Sequence, residues 1–189
     1  MSTDHIKEVC NVYITARNKD TGEIIAVREG HNVWTNIGRE YSCLLKTYKN
    51  NNREVYREDK ICYIGLGTGT QVESVAVQRL SQPIAWSAGL FLKEINHGLT
   101  TFQSPLGVRT AVRYTVRYAE EDVNIGNVGV ASITECGLFT DGREGDFAVG
   151  RRNVNINSSG LQGPVAYHTF DPIPKTKTTQ LDIIWELRH

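Results

Sequence analysis

Charge of one sign in excess is the first thing this chain lacks. Its 189 residues carry 21 Lys and Arg against 21 Asp and Glu. That excludes a global basic field for nucleic acid and an acidic tail, and no nucleic-acid partner is expected. Neutrality also gives little protection against self-association. No apolar run reaches the length of a membrane span, and residues 1–8 contain no apolar core of a secretion signal. The chain is therefore expected to be made in a cytoplasm, with no membrane partner. Cysteine is sparse: the four, at 10, 43, 62 and 136, have no C-x-x-C spacing and no histidine close enough to complete a zinc knuckle. Repeats and low-complexity tracts are missing too.

Catalytic signatures are equally scarce. Gly65-x-Gly67-x-Gly69 invites a nucleotide reading, but no G-x-G-x-x-G and no lysine of a phosphate loop follows; Thr70 is succeeded by Gln71, Val72 and Glu73. These glycines read as structural, allowing positive φ and close strand approach. There is no G-x-S-x-G elbow and no H-E-x-x-H, and the five histidines are scattered. Glu120-Glu121-Asp122 reads as a solvated loop rather than a calcium site. No catalytic, cofactor-binding or metal residues are expected, and the chain is not expected to be an enzyme.

What is present is β patterning, with 40% hydrophobic residues to fill a core. Val12, Ile14 and Ala16 alternate with Tyr13 and Thr15, then a turn cluster at 18–22 leads into Ile24 to Val27, a hairpin by pattern. Asn36 is placed to cap a helix whose apolar stripe is Ile37, Tyr41, Leu44, Leu45 and Tyr48. Residues 61–67 read as a buried strand. Over residues 108–118, Val112, Tyr114, Val116 and Tyr118 share one face while Arg109, Arg113, Thr115 and Arg117 share the other. Strands are also expected over 128–139, 147–156 and 165–170, with an Asp141-Gly142 hairpin turn, and the end of the chain alternates Leu181, Ile183, Trp185 and Leu187 with Asp182, Glu186 and Arg188. Pro172 and Pro174 rule out a central strand there, because each removes a ladder donor. The fold expected is mainly all-β: an antiparallel β-sandwich or jelly-roll-like domain over 1–189 with one short α-helix near residues 37–48. Residues 72–107 form an irregular arm or insertion in this reading.

Two sets of side chains are candidates for contacts. Arg109, Arg113 and Arg117 form a basic ladder, with Arg151 and Arg152 as a second patch. They read as a solvated sheet face or as a subunit interface meeting acids of a neighbour, with nucleic-acid binding the least favoured of the three readings. Cys10 and Cys43 are candidates for an intersubunit disulfide if they lie exposed at a contact; otherwise the cysteines are core thiols. Trp34, Trp86 and Trp185 are candidate glycan platforms, with core burial the better reading for Trp185.

The hairpin, then Asn36-Ile37-Gly38-Arg39, then Ile61-x-x-Ile64-Gly65-Leu66-Gly67-Thr68-Gly69-Thr70, resembles small tailed-bacteriophage virion proteins. In that class such a strand is followed by a segment like Thr134-Glu135-Cys136-Gly137-Leu138-Phe139 and by one like Pro172-Ile173-Pro174-Lys175-Thr176 with a terminal aromatic strand. The chain departs from the class after Thr70, where Gln71-Val72-Glu73-Ser74 stands in place of a proline-rich step. The resemblance implies a β-sandwich virion component without cofactor, present in many copies at the neck, collar or tail. Its partners would be copies of itself and other head, neck or tail proteins. Alternatives are a capsid decoration protein and a host-glycan-binding β-sandwich.

Overall fold

The computed structural model describes residues 9–47, 61–87, 91–96, 102–103, 111–123, 130–140 and 163–188. They build a mostly antiparallel all-β fold with a single short helix. The elements are β1 (Val9–Asn18), β2 (Ile24–His31), β3 (Val33–Trp34), α1 (Asn36–Thr47), β4 (Ile61–Gly67), β5 (Pro83–Ile84), β6 (Leu92–Glu94), β7 (Phe102–Gln103), β8 (Ala111–Tyr118), β9 (Val130–Thr140), β10 (Ala166–Thr176) and β11 (Thr179–Arg188). One sheet has the order β2-β1-β11-β8-β7; the second has β3-β10-β9-β4-β5, with β6 also on β4. The strands expected at 147–156 and the turn at Asp141-Gly142 lie outside the described residues.

Period-two alternation sorts the first sheet. Val12, Ile14 and Ala16 of β1, Leu181, Ile183 and Trp185 of β11, and Tyr118 of β8 are at most 1% exposed and face the second sheet. There they meet Ile64, Leu66, Ile133, Leu138 and Ile173. Each valine, leucine or isoleucine among them contributes about 1.5–3 kcal/mol through burial. The Tyr118 hydroxyl donates to the Ile64 carbonyl at 2.7 Å and ties the sheets together.

The hairpin turn follows from its residues. Asn18 Oδ1 accepts from the amides of Asp20 and Thr21, and Gly22 takes φ 71°, a conformation that costs glycine little. The helix starts where its sequence says, but its cap is Thr35 rather than Asn36. Thr35 Oγ1 accepts from Gly38 N at 3.1 Å and donates to the Pro164 carbonyl at 2.6 Å, so one buried hydroxyl caps the helix and anchors it to the β10 lead-in.

β4 shows no alternation because both of its faces are covered. All seven of its residues are buried. Ile64 and Leu66 face the inter-sheet core, whereas Cys62 and Tyr63 join Val77, Leu80, Leu92, Phe139 and Tyr167 in a second cluster. Residues from the segment expected to be an arm thus form a lid over the outer face of the second sheet. Pro172 and Pro174 fall in β10, but there the strand pairs only with β9, across a register shift between Thr169 and Ile173. The prolines therefore cost no ladder bond on a second side.

Candidate functional site

The glycine–threonine turn is organised around one carboxylate. Glu135 of β9 stands opposite Gly67 of β4 in the strand register and is fully buried. Its Oε1 accepts from the amides of Gly69 (3.1 Å) and Gln82 (2.8 Å). Its Oε2 accepts from the Ser81 amide (3.0 Å) and the Tyr167 hydroxyl (2.6 Å). Four donors satisfy a charge that would otherwise be costly to bury. The glycine spacing follows from this clamp. A Cβ on Gly67 would lie 2.3 Å from Glu135 Oε1, and one on Gly69 would lie 2.6 Å from it and 2.4 Å from Ser81 Cβ. Close approach is what these glycines provide; the expected positive φ is found at neither. Thr134 Oγ1 adds a bond to the Gly69 carbonyl at 2.6 Å. Burial, and then the bond to Glu135, push the Tyr167 phenol well above its ordinary range, so it stays a donor.

A second carboxylate works in the opposite direction. Glu73, on the segment after the turn, reaches β10, where its Oε1 meets His168 Nδ1 (2.7 Å), the Thr169 amide (2.6 Å) and Thr169 Oγ1 (3.2 Å). Burial alone would raise its pKa, but the His168 and Thr169 bonds together outweigh burial and hold it below the usual carboxylate value. Glu135 thereby holds residues 68–82 near both ends, and Glu73 latches the segment between them to β10. The sequence marks this only indirectly, as a glutamate within an apolar strand and a glutamate just past the turn.

The acidic loop is not simply solvated. Asp122 is 6% exposed, accepts from the Ala119 amide and pairs with Lys93, whose ammonium lies 4.6 Å from the Trp86 ring centroid. Glu120 pairs with Lys19 and accepts from Gln180. Fully buried Lys175 donates to the carbonyls of Glu120 and Thr176; burial brings its pKa down to about 8. These groups join the 119–123 loop to β10 and β11, and each is held by a structural partner.

The outer face of the first sheet carries the basic ladder. Glu186 lies directly opposite Arg113, and Asp182 opposite Arg117. Arg113 and Arg188 both bond fully buried Glu186 at 2.5 Å. Arg117 binds Asp182 through two nitrogens, at 2.6 and 3.2 Å. Both ladder arginines therefore have acidic partners on their own β11. A groove of about 480 Å³ beside them is lined by Thr15, Arg17, Thr115, Arg117, Asp182 and Ile184, among others, and its lining includes no histidine or cysteine.

Comparison with family models, with curated proteins and with solved structures finds no match.

The other candidates from the sequence disperse. Arg109, Arg151 and Arg152 lie outside the described residues, as does the side chain of Cys43. Cys10 is 6% exposed within the inter-sheet core, so it does not meet the condition of exposure that an intersubunit disulfide needs. Trp185 is fully buried; Trp34 and Trp86 pack partly buried against the core, and the Trp86 indole donates to the Leu92 carbonyl at 3.0 Å. None stands out as a flat exposed platform. Among the described residues, no group of three or more His, Cys, Asp or Glu is placed to hold a metal ion. No helix among them is long and apolar enough to cross a membrane.

Proposed function

We propose that this chain is a non-enzymatic structural subunit of a tailed-phage virion, working as part of a homo-oligomeric assembly at the neck, collar or tail. The observation that carries the reading is the convergence of the motifs on which the phage resemblance rests. The strand ending in the glycine–threonine turn, the strand with Thr134 and Glu135, and the strand with Pro172 to Thr176 are neighbours in one sheet, in the order β4-β9-β10. Their polar residues serve to lock backbone: Glu135 and Thr134 bind Gly69, and Lys175 binds two carbonyls. In an enzyme, by contrast, polar groups held by a motif converge on an open pocket. A rigid sandwich with its loop tied down suits a part that must hold its shape among many copies.

The test is fractionation of particles from cells that encode the chain. The reading expects the chain to sediment with intact particles in a density gradient, at a fixed copy number resistant to high salt. Recovery only in the slow-sedimenting soluble fraction would sink it.

A further inference from the structure

The groove on the outer face of the first sheet holds two polar groups that the chain itself does not satisfy. Its charged lining is two arginines and one aspartate: Arg17, Arg117 and Asp182. Asp182 is taken by Arg117 through two nitrogens, at 2.6 and 3.2 Å. Arg17 is exposed, and its guanidinium bonds no other described residue. One positive charge is therefore left over at the rim. The second group is the Thr115 hydroxyl, whose Oγ1 is buried and meets no donor or acceptor. A buried hydroxyl left that way is unfavourable, and most such groups in proteins find a partner. The strand register puts these groups in adjacent rows. Thr15, Asp182 and Arg117 lie side by side across β1, β11 and β8, and Ile184 lies opposite Thr115 in the next row. Half-buried Thr15 and Ile184 supply apolar surface between the two polar groups.

We infer that this groove binds a carboxylate carried on an aliphatic body with an amide beside it, the chemistry shared by an N-acylated amino acid and the last residue of a peptide. The carboxylate goes to Arg17, whose planar fork matches its two oxygens. The aliphatic part covers Ile184, and the amide satisfies Thr115 Oγ1. Each component answers a lining group. Only one cation is unpaired, which favours a singly charged carboxylate over a phosphate dianion. The lining holds no aromatic ring, which disfavours a sugar or a nucleobase, since both are commonly held by stacking. The volume, about 480 Å³, lies in the range of sites for small organic ligands. The site does not depend on the reading of the chain as an assembly subunit.

Chemical-shift titration of the isotope-labelled full chain with N-acetyl-leucine tests it. Saturable shifts are expected at the amides of Thr15, Arg17, Thr115 and Ile184, with a Kd of about a few millimolar for so small a ligand. N-acetyl-leucinamide, which lacks the charge, should bind at least about tenfold more weakly. Arg17→Gln should weaken N-acetyl-leucine by about tenfold and Thr115→Val by about threefold. Arg39→Gln, at an exposed arginine of α1 outside the groove, is the control and should bind as the wild type does. A short peptide ending in leucine separates the two sources of the same chemistry. Tighter binding than N-acetyl-leucine assigns the groove to a chain end; equal or weaker binding assigns it to a free acid. No saturable shift with N-acetyl-leucine, equal binding of the amide, or unchanged affinity in Arg17→Gln overturns the site while leaving the subunit reading intact.

Discussion

Replacing Glu135 by glutamine keeps the shape of the clamp and removes its charge. The carboxylate accepts four hydrogen bonds, two at each oxygen. A glutamine has one carbonyl oxygen, so its amide nitrogen must face one pair of donors. The less costly choice faces Ser81 N and the Tyr167 hydroxyl, since the hydroxyl can turn and accept. The Ser81 amide is then left opposed to another donor, at about 1–3 kcal/mol, toward the lower end because Ser81 is exposed. The two bonds kept at the carbonyl fall from charge-assisted to neutral strength, a loss of about 1 kcal/mol each. The sum is about 3 kcal/mol of folding stability at neutral pH. Urea unfolding followed by tryptophan fluorescence measures it directly. Hydrogen exchange should show the amides of Gly69, Ser81 and Gln82 opening sooner than the change in global stability requires. A loss under about 0.5 kcal/mol with unchanged exchange at these amides would refute the clamp as the organiser of the turn.

Four further outcomes follow from the same contacts. Gly67→Ala and Gly69→Ala should each cost about 1–3 kcal/mol in urea unfolding by pushing the Glu135 carboxylate off its donors; either variant matching the wild type contradicts the close-approach explanation. Glu73 has a folded pKa below its ordinary value of 4.5, so its stabilisation is fully present above that pH and is lost as pH falls through the folded pKa. The stability gap between wild type and Glu73→Gln should therefore close in acid, and a gap independent of pH would rule out the latch. Lys175 has a folded pKa of about 8 against an ordinary 10.5, so between those values the unfolded chain binds the extra proton and stability rises with pH. Thermal melts of wild type against Lys175→Met should converge as pH rises through that window; divergence would contradict the burial of the ammonium. Lastly, Glu186→Gln should destabilise by about 1–3 kcal/mol because it weakens the charge-assisted bonds that Arg113 and Arg188 make to a buried carboxylate, whereas Asp182→Asn, at an exposed pair, should cost under about 1 kcal/mol.

The strands legible in the sequence are those with one wet face. Val12, Ile14 and Ala16 in β1, and Leu181, Ile183 and Trp185 in β11, alternate with polar neighbours because one side packs on the second sheet and the other carries Thr15, Asp182 and Glu186. That alternation is a local property, so it survives without knowledge of partners. The arginine ladder was legible as a row for the same reason, but its partners were not. Asp182 and Glu186 lie about 65 and 73 positions from Arg117 and Arg113, and only the β8–β11 register brings them together. The cap at Thr35 was missed by one residue because Asn36 is an equally good capping type; what selects Thr35 is its second bond, to the distant Pro164 carbonyl. The segment after the turn carries no periodicity. It is held by Glu135 and Glu73, contacts that reach across 53 to 96 positions, and neither propensity nor pattern encodes those. The glycine spacing was visible, yet its cause was not, because the carboxylate it accommodates comes from β9.

The central claim is that the polar groups of this chain hold it in one shape and that, as proposed, it assembles with copies of itself. Native mass spectrometry of the intact, unmodified chain over a range of concentrations tests that most directly. The account predicts a discrete oligomer at integer multiples of 21.2 kDa, giving way to smaller species on dilution. A single 21.2 kDa species at every concentration would contradict it.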